Sequence, residues 1–258
     1  MPAEPRPDLS VNGVSVAFGG VQALSNASIK VAASNVVGLI GPNGAGKTTL
    51  VNVIAGVVKP SAGTVHLGDL DITRLATRRR AALGVGRSFQ NLGLMISETI
   101  LTNLLAAQHL TTGYGNTDSL FRPARWRRRE IEIEQRAMRA AEEFGLEDVL
   151  ERRIEDLSFA KARLCELACV LVRDPVLVLL DEPTTGLDAG EAQILAAVVS
   201  RLKTAGLGVL IVAHDVSFVM STCDSVYVLT EGKNLFEGSP QDVRSHPDVI
   251  SAYLGRTG

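Results

Sequence analysis

Nine residues, GPNGAGKTT from Gly41 to Thr49, constrain the fold of this 258-residue chain more than any other stretch. They satisfy the pattern G-x-x-x-x-G-K-[ST], and their surroundings agree with it. The wholly apolar run VVGLI (Val36 to Ile40) precedes them and the helical run TTLVNVIAGVV follows. A strand that feeds a glycine loop opening a helix makes a phosphate cradle. Gly41, Gly44 and Gly46 let the backbone N–H groups of the loop, with Pro42, Asn43 and Ala45 between them, wrap a phosphate, and the helix N-terminus favours negative charge. Lys47 then reaches the β- and γ-phosphates, Thr48 offers its hydroxyl to Mg²⁺, and Thr49 continues the loop into the helix. The motif predicts binding of a nucleoside triphosphate with Mg²⁺.

Further apolar runs follow the same grammar. VLVLL ends at Asp181 and VLIVA ends at His214. Continuous runs of this length read as strands covered on both faces, as in a parallel sheet. Between these two runs, EAQILAAVVSRLKTAG places Ile194, Val198 and Leu202 on one stripe and stops near Gly206, an amphipathic helix with a glycine end. Strands alternating with helices predict an α/β fold whose ligand lies beyond the carboxyl ends of the strands. Residues 91–156 are richer in charge and helix formers and read as a helical insertion. Within them FRPARWRRRE carries five arginines in the eight positions 122–129; this run and TRRR (Thr77 to Arg80) read as solvated surface.

The composition excludes several classes. A formal charge of −2 gives no overall attraction to nucleic acid or anionic lipid. The three cysteines, Cys165, Cys169 and Cys223, are odd in number and form no C-x-x-C pair, so they read as reduced core thiols rather than a disulfide or zinc framework. The N-terminal MPAEPRPDLS has no apolar core of a signal peptide, and no apolar run approaches the roughly 20 residues that span a bilayer. A cytoplasmic protein is expected, with any membrane crossing done by partner chains.

Asp181 and Glu182 stand at the carboxyl end of a predicted buried strand. An acid there is costly unless it faces a cation, and the Mg²⁺ of the glycine loop is the expected one. Asp181 would hold the metal through water, leaving Glu182 to polarise the water that attacks the γ-phosphate.

Taken in order, GPNGAGKTT, SFQN, LSFAK, LLDEPTTGLD and VAHD resemble the nucleotide-binding domain of ABC transporters. The resemblance covers residues 8–240 as one such domain and leaves 241–258 as a tail. It implies a P-loop NTPase (RecA-like) core with an antiparallel β subdomain, both formed by 8–90 and 157–240, and an inserted helical subdomain at 91–156. It further implies that Gln90 senses Mg²⁺, water and the membrane partner, that His214 senses the γ-phosphate, and that Asp188 crosses a dimer interface. Phe18, which on its own reads as a core aromatic, becomes the ring on which adenine stacks. The implied partners are a second ABC ATPase subunit, identical or different, integral membrane permeases and, indirectly, a solute-binding protein. The implied location is the inner face of the cell membrane. No nucleic acid is expected.

The helical insertion, HDVSFVMSTCDSVYVLTEGKNLFEGSPQDV and the ending HPDVISAYLG resemble ATPase subunits of branched-chain amino-acid importers. Urea and amide importers and the lipopolysaccharide exporter are close alternatives. ABC ATPases acting on ribosomes or nucleic acid carry paired domains or coiled coils that are not seen here. One departure stands out: the signature reads Leu157, Ser158, Phe159, Ala160, Lys161. Ser158 is kept for the partner's γ-phosphate, but Ala160 replaces a glycine. Alanine there either resists a left-handed backbone by about 1 to 2 kcal/mol or, at negative φ, favours the helix that follows. Lys161 adds a charge at that helix start.

Overall fold

The strand that feeds the glycine loop, β3 (Val36–Ile40), lies inside the larger of two sheets. The computed structural model describes residues 6–88, 93–112 and 123–254. All residues of β3, β7 (Leu177–Asp181) and β8 (Gly208–Val212) are buried, as strands covered on both faces must be. With β6 (Val85–Arg87), β9 (Ser225–Thr230) and β10 (Lys233–Gly238) they form a sheet of order β10-β9-β3-β8-β7-β6. Its pairings are parallel except at the edge, where β10 runs antiparallel to β9. The register sets Asp181 opposite Val212 and Leu39 opposite Val212 from the other side. The carboxyl ends of β3, β7 and β8 therefore deliver Gly41, Glu182 and His214 to one edge.

The second sheet is antiparallel, in the order β2-β1-β4-β5, from β1 (Leu9–Phe18), β2 (Val21–Val31), β4 (Ala62–Leu67) and β5 (Leu70–Asp71). Alternation buries Leu9 and Val11, then Val14 and Val16. The parity changes across a register shift between Val11 and Val14, a bulge that keeps the apolar set inward. One core joins both sheets through helix α1 (Lys47–Ala55), whose Leu50, Val53 and Ile54 pack with Leu9, Leu24, Leu39 and Leu179.

Helix α2 (Thr77–Ala82) corrects the surface reading of the TRRR run. Arg78 and Arg79 are exposed, but Arg80 is 1% exposed. Its guanidinium donates to the carbonyls of Val53 and Ile54 at 2.7 Å each, Thr73 at 2.9 Å and Leu75 at 3.0 Å. The last turn of α1 leaves carbonyls short of donors; Arg80 supplies one to Ile54 O and a second to Val53 O, which also accepts from Gly56 N at 3.2 Å.

The chain divides into two compact units, 1–87 with 175–185 and 199–258, and 88–174 with 186–198. The second extends past the insertion drawn from the sequence, because α3 (Ile100–Thr112), α4 (Pro123–Glu143) and α5 (Phe159–Leu171) pack on one another. Ile100, Leu104, Ile133, Ala137, Phe144, Leu164 and Leu167 are buried there. Asn103 staples the segment before α3: its Oδ1 accepts from Met95 N at 2.8 Å, and its Nδ2 donates to Met95 O and Thr99 O. The side chains of the arginine-rich run 122–129 lie outside the described residues.

Helix α6 (Ala189–Thr204) ends two residues before Gly206 as expected, but its buried stripe is Leu195, Val198 and Val199. Ile194 is 38% exposed, since it sits about 90° from the centre of that stripe. The described part of the C-terminal segment, to Leu254, contains two helices. Ser239 and Asp242 form a capping box on α7 (Pro240–Ser245), and Val243 and, in α8 (Pro247–Leu254), Val249 are buried. Cys165 and Cys223 are buried and Cys169 half-buried, all free thiols. Among the described residues no helix is long and apolar enough to cross a membrane.

Candidate nucleotide site

The loop between β3 and α1 has the backbone a phosphate cradle needs. Gly41, Gly44 and Gly46 have φ of 155°, 80° and 101°. A Cβ on Gly41 would lie 2.1 Å from Leu229 O, and one on Gly46 2.6 Å from Ala23 O, so no side chain fits at either. Gly44, by contrast, faces open space. Helix α1 begins at Lys47 without a side-chain cap, which leaves its first N–H groups to a ligand. Pro42 O accepts from Ala45 N at 3.1 Å and closes the loop. Asn43 and Thr48 are exposed and Thr49 is half-buried. Lys47 is 6% exposed, and its Nζ donates to Gly41 O at 2.7 Å and Pro42 O at 3.1 Å. Burial holds its ammonium below the ordinary value, partly offset by the carboxylates of Glu182 and Asp181.

Those carboxylates stand where the sequence put them, at the end of β7. Glu182 has φ 54°, a left-handed backbone on a non-glycine residue, held by Glu182 N donating to Val212 O at 2.7 Å. Such a conformation costs of order 1–3 kcal/mol and persists only where the surroundings enforce it. It turns the Glu182 carboxylate to His214, whose Nε2 lies 3.0 Å from Oε1 and whose backbone N donates to Oε2 at 3.3 Å. Asp181 is fully buried, and the cation facing it is not only the one expected from the sequence. Arg87 Nη2 lies 3.2 Å from Asp181 Oδ2, while Nη1 donates to Asn52 Oδ1 on α1 at 2.7 Å. This protein-supplied partner corrects the reading that Mg²⁺ alone offsets the buried charge. Thr48 and Asp181 are nonetheless the hard oxygen donors that suit Mg²⁺, which is held by one or two such groups together with substrate phosphates.

In the helical unit, Ser158 caps α5: its Oγ accepts from Lys161 N at 3.3 Å. Ala160 lies inside that helix and is absent from the residues with positive φ, so the left-handed alternative falls and alanine acts as a helix former. Phe159 is exposed, yet its ring fills the space beside Gly186, where a Cβ would come within 2.5 Å of it. Asp188 and Glu191 cap the start of α6 reciprocally at 2.9 Å. Phe18, at the end of β1, is 52% exposed, which removes the core reading and leaves a ring open to a ligand. Gln90 lies outside the described residues.

Sequence reasoning missed Arg87 and Asn52. β6 is three residues long and gives no periodic signal, and an asparagine within a helix reads as ordinary surface. A buried pair in α5, Arg163 with Glu166, was also illegible, because both residue types look solvated in one dimension.

The sequence profile of the family described as "ABC transporter" matches residues 24–185, and that of "Branched-chain amino acid ATP-binding cassette transporter" matches 233–257. The chain is 37% identical over 251 residues to the high-affinity branched-chain amino acid transport ATP-binding protein LivG of Escherichia coli K12, covering 97% of this chain and 98% of that one. It is equally similar to BraF of Pseudomonas aeruginosa, and 32% identical to a probable LivG of Archaeoglobus fulgidus over 96% and 95% of the two chains. Among solved structures, a nucleotide-free ATP-binding cassette from an ABC transporter superposes with TM-score 0.84 at 31% identity, over 97% of this chain and 100% of that one. The cbiO1 protein of Clostridium perfringens, part of the ABC transporter complex cbiONQ, does so with TM-score 0.79 at 25% identity, covering 98% and 96%.

Proposed function

The chain belongs to the ABC transporter ATP-binding family, an ATPase family, and from that premise we propose that it hydrolyses Mg·ATP to drive import of branched-chain amino acids through a permease made by other chains. The observation that carries the substrate is the match of residues 233–257 to the branched-chain subgroup, together with identity to LivG along nearly the whole chain. Supporting it, the two helices of this segment, Pro240–Ser245 and Pro247–Leu254, pack on its own strand β10.

The chain's own groups divide the work. The loop N–H groups from Gly41 to Thr49 and Lys47 bind the phosphates, Lys47 giving up its contacts with Gly41 O and Pro42 O to do so. Thr48 and Asp181, with Gln90, would hold Mg²⁺, which when bound would supply positive charge to offset that of the phosphates. Glu182 accepts a hydrogen bond from the attacking water, so the new P–O bond forms as the bond to ADP breaks. His214 holds the Glu182 carboxylate through Nε2 and would turn that donor to the γ-phosphate when ATP is bound. Phe18 offers its exposed ring to adenine. Ser158, Ala160 and Asp188 serve the interface with a second ATPase subunit, and each such pair works on the inner face of the membrane, with a solute-binding protein delivering substrate to the permease.

Uptake of labelled leucine, valine and urea in cells deleted for this chain tests the reading. Leucine and valine uptake should fall and return with the wild-type chain but not with Lys47→Ala. Loss of urea uptake alone would refute the branched-chain assignment, and no change in any uptake would refute import.

A further inference from the structure

Asp181 is buried to 1% of its side-chain surface, and Arg87, at 12%, is fixed against it. The pairing of Arg87 with Leu179 across β6 and β7 sets the guanidinium alongside the end of β7, within reach of Asp181 two residues on. The fork is anchored at both arms, Nη1 on Asn52 Oδ1 at 2.7 Å and Nη2 on Asp181 Oδ2 at 3.2 Å. It links the helix of the phosphate loop to the carboxylate assigned to the metal. A guanidinium cannot lose its proton in a protein, so this cation is permanent.

The local charges then balance. Lys47 and Arg87 face Asp181 and Glu182, and both carboxylates act on Lys47 directly. A bare divalent cation meets no net negative charge at such a site, and it would have to compete with a fixed guanidinium for Asp181. A nucleoside triphosphate brings several negative charges of its own and tips the balance towards the metal.

We propose that Arg87 is a positioning residue that holds the metal-side carboxylate Asp181 and makes divalent-cation binding conditional on the nucleotide. The inference rests on the assignment of Asp181 to the metal, and it adds a residue that the phosphate-loop motif does not contain. Arg87 keeps Asp181 oriented between turnovers and prevents the free metal from occupying the site ahead of ATP.

Manganese binding to the nucleotide-free protein, read from the electron paramagnetic resonance signal of free Mn²⁺, tests this. Wild type and Arg87→Lys should bind no Mn²⁺ in the sub-millimolar range. Arg87→Gln should bind one ion per chain roughly tenfold or more tighter, the effect of removing one partly buried charge beside a cation. Adding Asp181→Asn should abolish that gain. Should Arg87→Gln not fold, Arg87→Met preserves the packed stem, and wild type alone remains decisive. Mn²⁺ bound as tightly without ATP as with it overturns the proposal. So does an Arg87→Gln or Arg87→Met protein whose Mn²⁺ affinity equals that of wild type. The underlying assignment is checked separately: Asp181→Asn with unaltered Mn·ATP affinity refutes Asp181 as the metal's residue, whereas weakened Mn·ATP binding with no effect of Arg87→Gln refutes the role of Arg87 alone.

Discussion

Replacing Arg80 by methionine removes four hydrogen bonds at once while keeping an apolar stem of similar reach. Each bond from a charged donor is worth about 1.5 to 3 kcal/mol, but the arginine also carries the desolvation cost of a buried cation, which methionine relieves. Burial alone holds the Arg80 guanidinium below its ordinary value, with only a coulombic contribution from Asp71 opposing it. The carbonyls of Val53, Ile54, Thr73 and Leu75 stay behind, and a buried acceptor left without its donor costs about 1 to 3 kcal/mol, so after the relieved desolvation the net loss should be about 3 to 5 kcal/mol. At about 2 to 4 °C per kcal/mol for a domain of this size, the thermal midpoint should fall by roughly 6 to 20 °C. Calorimetry without nucleotide is the assay, since ligand would add its own stabilisation. ATP affinity should fall as well, because two of those carbonyls end the helix that carries Lys47. A midpoint within about 2 °C of wild type would refute the claim that Arg80 caps α1, that being the shift expected from a single exposed change.

Ala160→Gly should destabilise the protein by about 0.5 to 1 kcal/mol, because the residue is helical. Its ATPase rate should not rise, and a several-fold increase in steady-state turnover would contradict the helical assignment. Gly186→Ala should lower the denaturation midpoint through its φ of 79° and the ring of Phe159. Combining it with Phe159→Ala should cost less than the sum of the two changes, and strict additivity would mean that the contact carries no energy. Burial pushes the Cys223 thiol up to about 12, and the hydrogen bond with Cys165, together with burial, pushes the Cys169 thiol up as well. The thiolate fraction at pH 8 is therefore small, and labelling by a disulfide reagent should be far slower in the native than in the denatured protein. Comparable rates would contradict the buried placement.

The two-face-buried strands and the phosphate loop were legible because each is written locally. Continuous apolar runs have few other uses, and the glycines mark a backbone that a Cβ would block, as Gly41 and Gly46 show. Legibility ended where a residue's partner lies far away in sequence. Arg80 and Arg87 look like any surface arginine until folding sets Val53 and Asp181 against them. The stripe of α6 was read with the right period but the wrong centre, since Ile194 and Leu195 are equally apolar and only packing chooses between them. For Ala160 the residue type alone allowed two backbones, and the helical one follows from Ser158 capping α5.

If Lys47, Asp181 and Glu182 form the site at which ATP is bound and cleaved, as proposed, removing the Glu182 carboxylate must separate binding from cleavage. Phosphate release and ATP affinity, measured together on the membrane-assembled complex carrying Glu182→Gln, test it most directly. ATP affinity should stay within about twofold of wild type while the release rate falls by roughly a hundredfold or more, the scale on which a positioned general base acts. Wild-type phosphate release from the Glu182→Gln complex at saturating Mg·ATP would contradict it.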